Sequence, residues 1–491
     1  MVATVLGPAS PAGAATISVT TTADELNSDG DCSLREAIVA ANTDAAQDQC
    51  TPGSGPDTIA IPAGTYTLSL GPPGDSNAMN GDLDIRSDVT LDPNGKVVID
   101  GGGLDRVFEV GTSNVLTASD LSIRGGNAVG MQAAAIGNGG GTVNLTGVLL
   151  VGNKADNGGG AILTEDTGSV NLTNVTISGN ETGQSGGGLQ IAGVGTTATL
   201  NNVSIVENVA DSEGDGNGDG GGIWVVGATV NLVNTIVAAN YDRSPGNAVN
   251  HPDCSGPVTS QGYNLIGETN GCTITGTATG NVLNQNPQLE PLRDNGGSTE
   301  THALKQQSPA VDAGNPAAPG SSGTACAPTD QRGVARPQGP RCDIGGFELQ
   351  QQPPPPGVAP KCLGKKVTIT GSDAPDTILG TKKADVISSL GGDDVIVGLG
   401  AGDRICAGDG NDRVKGRSGD DQVLGQAGND RVRSGGGGDT VKGGAGNDRL
   451  RGQRGDDILK GGGGNDRING GGGFDLCRGG PGPDRVRRCE T

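Results

Sequence analysis

The chain has 491 residues, among them 92 glycines, 27 prolines, ten cysteines and only seven aromatic side chains, and its formal net charge is -22. A chain this acidic and aromatic-poor is no obvious nucleic-acid binder, since stacking rings are nearly absent, and no run of eighteen apolar residues is present to span a bilayer. Glycine and proline at this level approach low-complexity composition, but the glycines fall in ordered periods, which points to stacked repeats instead.

Residues 1–15 read as the tail of a secretory signal, with Ala12-Gly13-Ala14 as its cleavage site. Residues 16–56 are expected to form an N-terminal cap. Within it Ser33 and Glu36 make a capping box ahead of the apolar stripe Leu34, Ile38 and Ala41, which predicts a short helix closing the end of the following repeat array.

From 57 to 349 the chain repeats loosely. VNLTGVLLVGN (143–153), VNLTNVTISGN (170–180), ATLNNVSIVEN (198–208) and VNLVNTIVAAN (230–240) share an alternating apolar run, and their final asparagines, Asn153, Asn180, Asn208 and Asn240, are 27, 28 and 32 residues apart. Several short strands per coil with a stacked turn asparagine predict a right-handed parallel β-helix. Asparagine suits the turn because it tolerates left-handed geometry and can hydrogen-bond along the stack. Weaker coils run through 89–101 and 115–127. Candidate chemistry on this unit is sparse. Tyr241-Asp242-Arg243 with His251-Pro252-Asp253 comes nearest to an acid–base group, the loop 211–222 alternates carboxylates without the closing glutamate of a calcium loop, and Trp224 is expected in an outward column with Ile162 and Gln190.

A proline-rich linker, 350–360, leads to residues 361–491, where an aspartate recurs every nine residues from Asp376 to Asp484. Two residues after each stands an apolar side chain, from Ile378 to Val486, and glycines crowd the positions before it. Glycine allows turns with φ > 0, and each short strand turns one residue inward. Two nonapeptides then close an eighteen-residue coil. Coils stacked at about 4.8 Å align Asp394, Asp412, Asp430, Asp448 and Asp466 on one edge and Asp403, Asp421, Asp439, Asp457 and Asp475 on the other. Carboxylates about 5 Å apart repel by roughly 3 kcal/mol per pair at an effective dielectric of about 20, whereas a hard cation seeking six to eight oxygens is well served by them. Calcium, Ca2+, is therefore expected at these ten aspartates. The glycine-poor turns before Asp376 and Asp385 and the proline-bearing turn before Asp484 are expected to cap the array.

A second pattern repeats every eighteen residues. Arg413, Arg431, Arg449, Arg467 and Arg485 follow the aspartates of one column, with Lys415, Arg433, Arg451 and Arg487 two positions on. All should point outward from one sheet, while the other shows Arg404, Gln422, Thr440, Ile458 and Leu476 at the first position. Residues 371–491 hold eighteen Lys plus Arg against nineteen Asp plus Glu, so the strip balances charge or offers a face to an anionic glycan or cell-envelope polymer. The residues expected to bind such a polyanion are Arg413, Lys415, Arg431, Arg433, Arg449, Arg451 and Arg467.

The cysteines fall in close pairs, Cys32/Cys50, Cys254/Cys272, Cys326/Cys342 and Cys477/Cys489, leaving Cys362 for Cys406. An even, paired set predicts disulfides and an oxidising, extracellular setting.

The unit G-G-x-G-x-D-x-U-x resembles the RTX nonapeptide of hemolysin-type calcium-binding β-rolls. Cys32-Ser33-Leu34-Arg35-Glu36-Ala37-Ile38 with DTIAIPAGTYTL (57–68) resembles the CSLREA-type start of secreted bacterial β-helix proteins. Residues 308–348, with SPAVDAG, DQRGVARP and CDIGGFE, are similar to their choice-of-anchor Q region. The resemblance implies an all-β, pectin-lyase-like right-handed parallel β-helix followed by a parallel β-roll. It also implies a secreted or cell-surface calcium-binding protein with a structural, adhesive or envelope-glycan-binding role. The alternative is a β-helix polysaccharide lyase or epimerase carrying the roll as a targeting domain.

Overall fold

The computed structural model describes residues 14–71, 78–245, 250–350, 361–372 and 375–490. The signal-like residues 1–13 and nearly all of the expected linker lie outside the described residues. The chain divides into two units, Met1–Leu349 and Gln350–Thr491, and each has its own apolar core. The architecture is all-β apart from one helix: a right-handed parallel β-helix, then a parallel β-roll.

In the first unit the helix Leu34–Thr43 begins at the capping box, Ser33 Oγ accepting from the Glu36 N–H and Glu36 accepting from the Ser33 N–H. Arg35 is fully buried and binds Asp24 together with the carbonyls of Ala78, Gly81 and Asp82. That fork of donors ties the cap to the first coil, since a guanidinium offers five N–H groups in fixed geometry.

Behind the cap the coils stack in strict register: Val143 against Val170, Val170 against Ala198, and Ala198 against Val230. Alternation sends Val143, Leu145, Val170, Leu172, Ala198 and Leu200 inward, where all are buried. The turn asparagines form a buried ladder. Asn153, Asn180 and Asn208 each donate backbone N–H and Nδ2 to the Oδ1 of the next asparagine, at 3.1 and 2.9 Å. Asn240 donates in the same way to Asp253. Asp253 can end the ladder because the last rung only has to accept.

Residues 308–348 pack against the outside of the coils. Ile344 and Phe347 join Val206, Ile236 and Leu265 in a separate apolar cluster, and Gln331 bonds Thr176 and Thr299. Arg336 is buried and pairs with Glu348 at 2.9 Å. The conspicuous words of this segment are therefore made of residues that hold it to the coils.

The roll consists, among the described residues, of two parallel sheets of seven strands. Strands pair with the strand eighteen residues on, as in Val414 with Val432 and Val432 with Leu450. The inward residues from Ile378 to Ile468 are buried, at most 8 % exposed. Val486 does not follow this expectation and is 43 % exposed, because its strand is the outermost of its sheet among the described residues. All five expected disulfides form, with Cα separations from 5.0 to 6.6 Å, and no cysteine is left free among the described residues.

Candidate metal centre

Each aspartate of the roll uses its two carboxylate oxygens differently. From Asp394 to Asp466 the backbone N–H donates to Oδ1 of the aspartate one coil ahead, at 2.8 to 2.9 Å in eight of nine cases and never beyond 3.0 Å. The second oxygen, Oδ2, is buried and has no hydrogen-bond partner in Asp394, Asp403, Asp412, Asp421, Asp430, Asp439, Asp448, Asp457 and Asp466. Asp475 stands in its column and receives the Asp457 N–H, but is not among those with an orphaned oxygen.

Glycine makes room for this oxygen. A Cβ at Gly443 would collide with Asp448 Oδ2 and would lie 2.6 Å from the Gly461 carbonyl; one at Gly461 would meet Asp466 Oδ2 and the Gly479 carbonyl in the same way. Unpartnered carboxylate oxygens beside backbone carbonyls form an all-oxygen cradle, the donor set of a hard cation. The protons respond to the same environment. Burial raises Asp412, Asp421 and Asp430 to about 7 and Asp448 and Asp457 to about 6; the preceding aspartate's N–H partly offsets this, and column repulsion adds to it.

The two glycine-poor turns at the start are built otherwise. Asp376 Oδ2 accepts from the N–H and hydroxyl of Ser372, and Asp385 Oδ2 accepts from the Thr381 N–H. Protein donors fill there the place left open in later coils.

The cationic residues fall where the eighteen-residue spacing puts them. Arg413, Arg431, Arg449, Arg467 and Arg485 are successive register partners, as are Lys415, Arg433, Arg451, Asn469 and Arg487. All nine cations are exposed. The second sheet is less bare than its first position suggested, since Lys442, Lys460 and Arg478 form a file of their own. Every ion pair among the described residues belongs to the first unit. The roll's arginines and lysines therefore balance its charge without pairing with its carboxylates.

Other candidate groups serve the fold. In the loop 211–222, Asp211 accepts from the N–H groups of Asp215 and Gly216, closing the turn. Asp242 accepts from the His251 N–H and from Ser244, His251 Nδ1 meets Asp219 at 2.8 Å, and Asp253 ends the asparagine ladder. Trp224 lies beside Gln190 and Leu163, not Ile162, which points inward with Leu189. One residue the spacing could not reveal is Glu490. It arrives three residues too early for the nine-residue count, yet its carboxylate accepts the Asp475 N–H as a further column aspartate would, and its own N–H donates to the Asp475 carbonyl at 2.8 Å.

The model of the RTX calcium-binding nonapeptide repeat matches residues 370–405, 407–441 and 442–477. These are RTX repeats. They bind calcium, and the orphaned oxygens of this chain's columns fit that ion. No curated relative matches the chain.

Proposed function

We propose that the protein is a secreted calcium-dependent binding module whose roll holds an anionic polymer of the cell envelope or matrix. Calcium sits between coils at Asp394, Asp403, Asp412, Asp421, Asp430, Asp439, Asp448, Asp457, Asp466 and Asp475, with glycine-turn carbonyls completing each shell. The β-helix, of the CSLREA and choice-of-anchor Q type, acts as the structural stalk. Five disulfides support an oxidising location. The domain boundaries read from the sequence, with the cap at 16–56, the helix at 57–349 and the roll at 361–491, follow the same division of labour.

The observation that carries the polymer reading is the cationic sheet. Nine exposed cations stand in register without an ion pair, although simple charge balance would be better served by placing each beside a carboxylate. Such a face binds polyanions, and the binding weakens steeply with salt because exposed charges are screened over roughly 10 Å at 0.1 M. Replacing Arg431, Arg433, Arg449 and Arg451 together by Gln should lower retention on an acidic-glycan column at unchanged calcium content. Elution of the unaltered protein at low salt would defeat the reading.

A trough on the β-helix favours a second reading, the polysaccharide lyase or epimerase. It has about 570 Å3 and is lined by residues that include Arg106, Glu109, Gln132, Asn157, Glu165 and Gln184. Burial, then repulsion from Asp166, raises the Glu165 carboxyl, as an acid–base group would need. New unsaturated ends absorbing in the ultraviolet after incubation with acidic glycans would move the assignment to this reading.

A further inference from the structure

At its last coils the cationic sheet carries an open hollow of about 400 Å3 lined by residues that include Arg449, Arg451, Arg467, Asn469, Arg485 and Arg487. Register creates it. Arg449, Arg467 and Arg485 form one file, and Arg451, Asn469 and Arg487 the next, so the short Asn469 occupies a rung that holds a cation on either side. Five guanidinium groups face the hollow, and among the described residues none has a carboxylate partner. Asn469 Oδ1 is buried without a hydrogen-bond partner. Both features are unfavourable in an empty site, because like charges one strand apart repel and an orphaned buried acceptor forfeits its hydrogen bond.

We propose that this hollow binds a phosphate-bearing sugar or polyol, its phosphate held by the guanidinium groups and one of its hydroxyls donating to Asn469 Oδ1. The proposal rests on the reading of the sheet as an anionic-polymer face and names the group recognised at its end. A carboxylate brings one charge and about four lone-pair sites, whereas each arginine offers five N–H donors. A phosphate ester brings three acceptor oxygens and, as a monoester, close to two charges, and arginine forks match it in pairs. Bare phosphate would satisfy the arginines and leave Oδ1 alone. A hydroxylated ester satisfies both.

Calorimetry on the full-length, calcium-loaded chain tests this with glycerol 3-phosphate, inorganic phosphate, glycerol and acetate as probes. Glycerol 3-phosphate should bind at one site at least tenfold more tightly than acetate, and glycerol alone should not bind. The double variant R485Q/R487Q should weaken glycerol 3-phosphate at least tenfold, while K442Q/K460Q, on the other sheet, should change it less than twofold. Asn469→Leu should weaken glycerol 3-phosphate and leave inorganic phosphate unchanged, a difference that a misfolded roll would not produce. The proposal is overturned if the unaltered chain binds acetate as well as glycerol 3-phosphate, if it binds neither, or if K442Q/K460Q is as damaging as R485Q/R487Q. Retention on an acidic-glycan column without glycerol 3-phosphate binding would remove only the hollow's specificity. Loss of retention with glycerol 3-phosphate still bound would remove only the polymer reading.

Discussion

Asp430 joins fold and proton in one side chain and leaves one oxygen open to a metal. Its Oδ1 takes the Asp412 N–H, its Oδ2 is orphaned, and burial sets its carboxyl at about 7. An acid whose folded pKa lies above its unfolded value near 3.9 stabilises the fold when protonated. In the metal-free roll that contribution is present below about pH 4 and is lost as pH rises toward 7. Calcium needs the deprotonated form, so its affinity should fall as pH drops from 8 to 6, and binding at pH 7 should release protons. Calorimetry in two buffers of different ionisation enthalpy measures that release; equal heats would show that no protons move. Strain is a second property of single residues here. Arg417 and Gln453 occupy turn positions with φ of 85° and 89° that glycine fills in most other turns. A left-handed side chain there costs about 1 kcal/mol, so Arg417→Gly should steady the roll by about that amount in denaturant titration with calcium present.

Among the elements, the asparagine ladder is the one whose loss should spread furthest. Asn208 accepts the N–H and Nδ2 of Asn180, donates to Asn240, and bonds the carbonyls of Ile177 and Val206, all in a fully buried turn. Asn208→Ala leaves several of these groups unpaired, and at roughly 1–3 kcal/mol for each buried orphan it should cost about 3 kcal/mol or more. A lowered melting temperature of the first unit, with the roll's calcium response unchanged, is the expected result. Both ladders were legible in the sequence because a stacked residue must recur once per coil, which gives Asn153 to Asn240 and Asp376 to Asp484 their spacing. Their terminators were not legible. Asp253 and Glu490 each end a ladder by accepting one last N–H, and each sits off the period, since a chain that has finished repeating reaches its last rung by whatever path its loop allows. The hollow around Asn469 was equally hidden, because a missing cation reads in sequence as a fault in the pattern and only stacking shows it to be a space.

At the scale of the whole molecule, two cores of different character lie on one chain. The β-helix interior is filled by many side chains per coil, such as Val143, Leu145 and Leu150, and its ladder asparagines are satisfied by protein groups. The roll has essentially one apolar side chain per half-coil, from Ile378 to Ile468, and columns of buried carboxylates that the protein itself leaves half satisfied. Apolar burial at about 25 cal/mol per Å2 should sustain the first unit without metal. In the second, a thin core must also offset repulsion along both columns, and calcium bound there would supply what the side chains do not. Full-length protein heated with calcium should therefore unfold in two transitions, and a chelator should abolish or greatly lower only one of them. Limited proteolysis identifies which: in chelator, cuts should concentrate within 361–491 while a fragment spanning the β-helix survives. Over residues 371–491 lysines and arginines already offset the carboxylates in number, eighteen against nineteen, so the opposite outcome has a clear meaning. Equal protection of 361–491 with and without calcium would show that cations on the sheet, rather than ions in the columns, hold the coils together.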